Sequence, residues 1–408
     1  MKKDLKEPIT VEESPVMLKK RLDIIDPRLS NVFLPWAREH PKYLQSFIHL
    51  ARAYGKTERS RAKEMANGLR VPPFLILSIT SRCNLNCAGC FAAATGTIDQ
   101  EIEEAETKVG SSLNLEEWRA ILTEASELGV FCFVIAGGEP FLFSGLLDLC
   151  EEFDDRLFLI LTNGTALTEA DYERLKRLGN IMIIVSIEGE RELTDSRRGE
   201  GIYEKAMKTL KELDDIGVLT GISVTINRMN FKHWMDPKNI DFFIEEGVRL
   251  MALIEYIPLT PVLDCGPGPI DDTSGWDVIN DHTLMLTPEE RRRFRSQIID
   301  YRRTKPIYLI HSPGDEEFFG GCVSAGRGFA HITPSGDLTP CPVSNIATHN
   351  LKIDKLRDGL ASPLFKKICE NEHLLETDGM PCALFAHPKE VEALAKSVGA
   401  YRTDIRKR

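Results

Sequence analysis

From Phe74 onward the hydrophobic residues fall into short, almost unbroken runs, each followed by glycine or small polar residues and then by apolar positions at helical spacing. The runs are Phe74–Ile79, Phe131–Ala136, Leu157–Thr162, Ile181–Ile187, Gly221–Ile226 and Leu250–Ile257. A stretch such as Ile181-Met182-Ile183-Ile184-Val185 has no polar alternation, so both faces of its strand are expected to be covered. Between the runs, Asn114 with Glu117, Thr168 with Asp171, and Thr287 with Glu290 behind Pro288 have the spacing of reciprocal helix caps. Strands and helices in alternation predict parallel β–α units. Six such units make a partial (β/α)6 barrel of the TIM type, an α/β fold.

The flanks read differently. Residues 1–70 place Leu44, Phe47, Ile48 and Ala51 at helical spacing and hold no strand-like run, which predicts a helical N-terminal cap. Within it, Val32-Phe33-Leu34-Pro35-Trp36, with Lys42, Arg52 and Lys56 nearby, suits docking on a membrane, on a partner or on the barrel itself. Packing onto the barrel is the usual fate of an amphipathic helix. Val71-Pro72-Pro73 ends the helical pattern, and residues 71–310 are assigned to the barrel. From Leu259 to His282 a Pro- and Gly-rich stretch with neither period is expected to be an active-site lid. Residues 311–408 depart from the β–α alternation. There Phe329–Thr333 and Leu338–Pro342 flank Pro334-Ser335-Gly336-Asp337 as a hairpin, helix-like runs follow, and a small α+β extension is expected.

A chain of 408 residues suits a barrel of about 250 residues with additions at both ends. With 42% hydrophobic and 28% charged residues it is ordinary for a globular protein. A formal charge of −11 speaks against a general nucleic-acid binder, which needs clustered Lys and Arg. No apolar run reaches the roughly 18 residues that span a bilayer, and the N-terminus lacks the apolar core of a signal peptide. A cytoplasmic protein without a transmembrane segment is therefore expected, and its ten cysteines read as ligands and buried thiols rather than disulfides.

Three of those cysteines carry the chemistry. Cys83, Cys87 and Cys90 lie directly after the first strand, in Cys-Asn-Leu-Asn-Cys-Ala-Gly-Cys. A structural zinc site wants four ligands, and no fourth Cys or His lies nearby in sequence, though a distant ligand could complete a zinc knuckle. A cubane iron–sulfur cluster held by three thiolates keeps one iron open to a small molecule. In parallel sheets ligands sit at the carboxyl ends of strands, and there the sequence places Gly137-Gly138-Glu139-Pro140, Thr162-Asn163-Gly164 and Ser186-Ile187-Glu188-Gly189. The two glycines let backbone approach a ligand closely. Ser186 and Glu188 could hydrogen-bond ribose hydroxyls, and Arg197-Arg198-Gly199 offers a guanidinium for a carboxylate. Thr225 and Asn227 end the fifth strand and Glu255 and Tyr256 the sixth, all expected at the barrel mouth.

The Cys-x3-Cys-x2-Cys spacing, followed by Gly-Gly-Glu-Pro, resembles the radical S-adenosylmethionine superfamily. The resemblance implies a [4Fe-4S] cluster on Cys83, Cys87 and Cys90 whose open iron binds the methionine amino and carboxylate groups, and reductive cleavage to a 5′-deoxyadenosyl radical. It implies S-adenosylmethionine contacts from Gly137, Gly138, Glu139, Pro140, Ser186 and Arg198, and Asn163, Glu188 and Thr225, by their place at strand ends, are further cofactor-binding candidates, with Glu188 standing where the superfamily often has Asp-Gly. The residue before the third cysteine, often aromatic in that superfamily and packed on the adenine, is Gly89 here, so Phe91 is the expected substitute.

Cys322 enters the late hairpin, Cys341 leaves it and Cys382 follows a helix-like run. This part resembles the SPASM and twitch extensions of such enzymes, with their Gly-x4-Cys pattern at Gly336 to Cys341 but without the dense cysteine block of a full SPASM domain. An auxiliary [4Fe-4S] cluster on Cys322, Cys341 and Cys382 is implied, its fourth position open or filled by Cys369, Cys265 or substrate. Zinc on the same three residues remains the other reading of the spacing. The expected activity is hydrogen abstraction from a peptide or small molecule, in peptide modification or cofactor or metabolite biosynthesis, with flavodoxin or ferredoxin as reductant. Two other classes compete: a non-catalytic iron–sulfur electron-transfer or zinc-binding protein on the same barrel, and a radical methyl transferase, against which stands the lack of a cobalamin domain ahead of the barrel.

Overall fold

The computed structural model describes residues 32–33, 36, 39–98, 112–259, 282–377 and 379–403, with only the backbone of Pro41, Lys42 and Leu44. The expected lid with Cys265, and Leu34 and Pro35 of the N-terminal segment, lie outside the described residues.

The apolar runs form strands β1 (Phe74–Ser78), β2 (Cys132–Ala136), β3 (Leu157–Thr162), β4 (Ile181–Ser186), β5 (Thr220–Ile226) and β6 (Leu250–Glu255). All pair in parallel with their sequence neighbours. The three capping pairs are formed: Asn114, Thr168 and Thr287 each accept from a backbone N–H three residues on, and Glu117, Asp171 and Glu290 return the bond. Helices thus start where the sequence places its polar caps, and each returns the chain to the next parallel strand.

The sheet is larger than the six strands expected. A seventh parallel strand, β7 (Tyr308–Ser312), pairs with β6 and spans residue 310, where the barrel was expected to end. Its Tyr-Leu-Ile-His-Ser is short and alternates, so it lacks the unbroken apolar signal of the others. The late hairpin, β8 (Phe329–Ile332) and β9 (Leu338–Thr339), joins the same sheet, with β8 parallel to β1 and β9 antiparallel to β8. The order is β7-β6-β5-β4-β3-β2-β1-β8-β9. The result is a curled half-barrel of α/β type, extended at one edge by the C-terminal region.

Alternation along the strands assigns the two faces. Leu75, Leu77, Phe133, Ile135, Phe158, Ile160, Met251 and Leu253 join Trp118, Leu122, Phe294 and Ile298 in the core beneath the helices. Met182, Ile184, Leu219 and Leu250 form a second cluster with Val32, Phe33, Trp36 and Tyr43 of the N-terminal segment, so that segment plugs the concave face. The helix Pro41–Ala66 then runs across the strand entrances. Arg61 donates to the Gly129 carbonyl (2.6 Å) ahead of β2, His49 lies 3.6 Å from Asp154 ahead of β3, and Ser46 abuts Gly179 ahead of β4. Among the described residues no helix is long and apolar enough to cross a membrane.

Candidate active site

The cysteine loop leaves the carboxyl end of β1 and is built into the structure by its backbone. Gly138 N–H donates to the Thr80 carbonyl (2.9 Å) and Glu139 N–H to the Arg82 carbonyl (2.8 Å), continuing the β1–β2 pairing past the strands. A Cβ on Gly138 would stand 1.8 Å from the Arg82 carbonyl oxygen, and one on Gly137, at φ +128°, 2.7 Å from that of Thr80. The glycines therefore serve first to let the Gly137–Pro140 turn lie flat on the cysteine loop, a closer contact than any side chain allows.

Glu139 locks the next turn to this one. Its carboxylate, almost wholly buried, accepts from Thr162 Oγ (2.7 Å), Asn163 N–H (2.8 Å) and Phe141 N–H (3.2 Å). Burial pushes its pKa up, and these bonds work against that. Asn163 in turn donates to Asn84 Oδ1 (2.8 Å), between the first two cysteines, and Asn84 donates to Thr165 Oγ (2.8 Å). Pro140 is buried behind the turn.

On the other side, the helix Arg191–Arg198 ends against the loop: the Arg197 carbonyl accepts from Ala88 N–H (2.8 Å), and the Arg197 side chain reaches the Gly89 carbonyl (3.5 Å). Glu188, 1% exposed, accepts on one oxygen from Arg197 and Arg198 (both 2.6 Å) and on the other from Thr225 N–H (2.9 Å). Burial pushes its carboxyl up, but the two guanidiniums and the amide outweigh that and leave it below its ordinary range. With both oxygens engaged, Glu188 is built to aim the arginines and the end of β5. Ser186 and Ser223 face the concave side and share a hydrogen bond (3.0 Å) beside Thr225.

Burial raises the Cys83 thiol to about 11, and its neighbours Cys90 and Cys87 add to the rise. Cys87 is raised by burial too, with Arg198 and Arg197 pulling it back. Among the described residues no three Cys, His, Asp or Glu converge closely enough to hold one metal ion. Three half-buried thiols on one loop, with Arg197 and Arg198 beside Cys87, are a donor set that suits a cluster with one open corner.

Three expectations need adjustment. Phe91 opens the short helix Phe91–Ala94 and is 38% exposed, while the ring beside Gly89 is Tyr256, within 2.8 Å of where a Gly89 Cβ would be. Glu255 does not open into the barrel mouth. It is turned to the helix layer, bonded to Arg291 (2.5 Å) and His311 (3.1 Å), because it shares the face of Met251 and Leu253. Asn227 is likewise occupied locally, its backbone N–H donating to Asn230 Oδ1 (2.9 Å) and its own Oδ1 accepting from Met229 N–H (2.8 Å). Tyr256, expected at the barrel mouth, stands beside Gly89, and Arg197 and Asn84 join the site without a role of their own assigned from the sequence. The adjacent arginines at a helix end are the signal for Arg197, and nothing local signals Asn84.

The C-terminal cysteines form a second group. Cys322, Cys341 and Cys382 are all buried, and burial raises each thiol, with Cys382 reaching about 11. Cys382 adds to the rise of both of the others. Cys369 stands apart, its thiol donating to the Ala325 carbonyl (3.2 Å) between Arg70 and Arg327.

A thiol loop above β1 and a second group of cysteines at the C-terminal edge thus stand on an α/β half-barrel. Residues 77–236 match the Radical SAM superfamily. Those residues form a radical S-adenosylmethionine domain, and enzymes of that superfamily use a [4Fe-4S] cluster and S-adenosylmethionine. The chain is 30% identical to the Fe-coproporphyrin III synthase of Methanosarcina barkeri over 45% of its length, a match spanning 44% of that relative's length. It is 26% identical to the PqqA peptide cyclase of Granulibacter bethesdensis over 76% of this chain and 78% of that one. The crystal structure of Streptococcus suis SuiB bound to precursor peptide SuiA matches with a TM-score of 0.60 and 19% identity, covering 81% of this chain and 74% of SuiB, which is a likeness of fold.

Proposed function

We propose that this protein binds a cluster on Cys83, Cys87 and Cys90, holds S-adenosylmethionine over it and abstracts hydrogen from a peptide. The observation that carries the reading is the pinning of the cysteine loop between the Gly137–Pro140 turn and Arg197–Arg198. The cluster, when bound, supplies one-electron reductive cleavage of S-adenosylmethionine and with it the means of hydrogen-atom abstraction.

The chain's own residues supply position. Arg198, braced by Glu188, meets the methionine carboxylate. The Gly137–Pro140 backbone receives its ammonium, Asn163, Ser186 and Thr225 line the nucleoside side, and Tyr256 or Phe91 packs against the adenine. Glu139 and Glu188 act from behind as braces. The helix Pro41–Ala66 closes the strand entrances, residues 71–310 carry the site, and the C-terminal region holds a second cluster on Cys322, Cys341 and Cys382, whose donor chemistry suits it. A flavodoxin or ferredoxin in the cytoplasm is the proposed electron source.

A peptide substrate is supported by the match to a peptide cyclase over three quarters of the chain and by the fold shared with a peptide-bound structure. The match to a tetrapyrrole enzyme favours a second reading. After anaerobic reconstitution with iron and sulfide, dithionite and S-adenosylmethionine should yield 5′-deoxyadenosine, and Cys83→Ala/Cys87→Ala/Cys90→Ala should yield none. No deoxyadenosine from the reconstituted wild type would leave the non-catalytic metal protein. Tight binding of iron coproporphyrin III, followed by absorbance, would move the substrate to the tetrapyrrole class.

A further inference from the structure

The register of the strands fixes which side chains share the inner wall of the half-barrel. Ile76, Val134 and Leu159 stand side by side across β1, β2 and β3, and Thr225, Ile254 and Ser312 across β5, β6 and β7. All six are partly exposed, although their neighbours along each strand are buried under the helices. Below them Phe33 and Trp36 of the N-terminal segment pack with Leu159, Ala252 and Ile310 and close the floor. What remains is a bore that opens toward the carboxyl ends of the strands, where the cysteine loop stands.

Across β1–β7 the only acidic or basic side chains are Glu255 and His311. They lie at or near the carboxyl ends of β6 and β7, where a barrel enzyme usually places its charged groups. Here both turn away from the bore. Each is 1% exposed on the helix side, with Glu255 bonded to His311 (3.1 Å) and to Arg291 (2.5 Å). The inner wall therefore carries no formal charge.

We infer that this bore selects an uncharged, apolar side chain of the substrate: an aliphatic or aromatic residue of the peptide enters it, and an acidic or basic one is turned away. This rests on the proposed reading of the site as one that acts on a peptide. A charged group would leave water for walls that offer no counter-ion, whereas an apolar group gains from the same transfer. Thr225 and Ser312 offer hydroxyls, which can meet a neutral polar group but cannot neutralise a carboxylate or an ammonium.

One test needs no catalysis. In the reconstituted holoenzyme, Val134→Cys sets a thiol in the wall with little change of volume, and Met229→Cys, at a position 70% exposed, sets one in solvent. Each variant is treated with benzyl, sulfonatoethyl and trimethylammonioethyl methanethiosulfonate, and labelling at the substituted position is followed by tandem mass spectrometry. Relative to the rates at position 229, the benzyl reagent should label position 134 about tenfold or more faster than either charged reagent. Equal relative rates would overturn the inference. So would no labelling by any of the three in a chain that melts as the wild type does, since the wall would then be closed.

A second test reads the substrate. Acetyl-Gly-Gly-X-Gly-Gly-amide is supplied with X as perdeuterated leucine or phenylalanine, or as perdeuterated glutamate or lysine, together with dithionite and S-adenosylmethionine. Deuterium recovered in 5′-deoxyadenosine should be about tenfold or more higher from the first pair. As much or more from the charged pair would overturn the inference, as would deuterium from neither pair while deoxyadenosine still forms. Absence of deoxyadenosine itself would mark the failure of the radical reading, and the labelling rates would still decide the character of the bore.

Discussion

A Cβ on Gly138 would lie 1.8 Å from the carbonyl oxygen of Arg82, one residue ahead of the first cysteine. Because that obstacle is backbone, no side-chain shift relieves it, and the cysteine loop must move instead. Gly138→Ala should therefore fold, since the clash lies above the strands, but bind about four fewer irons than the wild type after reconstitution. Iron counting beside a thermal melt checks this, and full iron loading in the variant would show that the loop tolerates displacement.

Arg198 offers a fixed fork where Lys offers a point charge. Arg198→Lys is expected to weaken S-adenosylmethionine binding by about tenfold or more, about 1.4 kcal/mol, while the iron content stays as in the wild type. Equilibrium dialysis with labelled S-adenosylmethionine, set against absorbance of the cluster, separates the two effects.

Glu188 is the common acceptor for Arg197, Arg198 and the Thr225 amide. Removing it in Glu188→Ala leaves two poorly solvated guanidiniums without their anion, a loss of about 3–5 kcal/mol for a broken buried pair. Chemical denaturation of the iron-free protein should show that loss. A change below about 1 kcal/mol would mean that the arginines find water instead.

Trp36 is 4% exposed on the concave face and its ring packs edge-on to Tyr43, centroids 4.6 Å apart. Trp36→Ala should cost about 3–5 kcal/mol by leaving a cavity under the barrel floor. Because the plug contacts the strand entrances rather than their carboxyl ends, iron content below the melting temperature should be unaltered.

His331 is buried between Ser78 (2.8 Å) and Thr339 (2.7 Å), and burial depresses its pKa to about 3. The unfolded chain binds that proton near pH 6.5, so the folded state is favoured above about 6.5 and loses stability as pH falls toward about 3. Between about pH 6.5 and about pH 5 the loss from this residue should be about 2 kcal/mol. Relative to wild type, His331→Asn should flatten the fall in melting temperature over that interval, and an equal slope in both would assign the acid sensitivity elsewhere.

How far the sequence disclosed this arrangement depended on how local each signal was. Ile181–Val185 and its counterparts declared buried parallel strands, because burial on both faces leaves a long apolar run, and the caps at Asn114, Thr168 and Thr287 are three-residue patterns. β7 escaped notice since only Leu309 and His311 of its five residues are buried. The alignment of β8 beside β1 is a contact between residues far apart in the chain, and no periodicity encodes it. At the site, the cysteine and glycine motifs were readable as motifs, but their physical reason was not: the Gly137–Gly138 turn packs on the backbone of Thr80 and Arg82, just past β1. Glu188 looked like a ligand because position alone cannot show that both its oxygens are spent on Arg197, Arg198 and Thr225.

The central claim is that the Cys83–Cys90 loop presents an open iron to S-adenosylmethionine. The direct measurement is the electron paramagnetic resonance spectrum of the reconstituted, reduced protein with and without S-adenosylmethionine. The account predicts that addition changes the signal of the cluster lost in Cys83→Ala/Cys87→Ala/Cys90→Ala and leaves the remaining signal as it was. A spectrum indifferent to S-adenosylmethionine, with the loop cluster present, would contradict it.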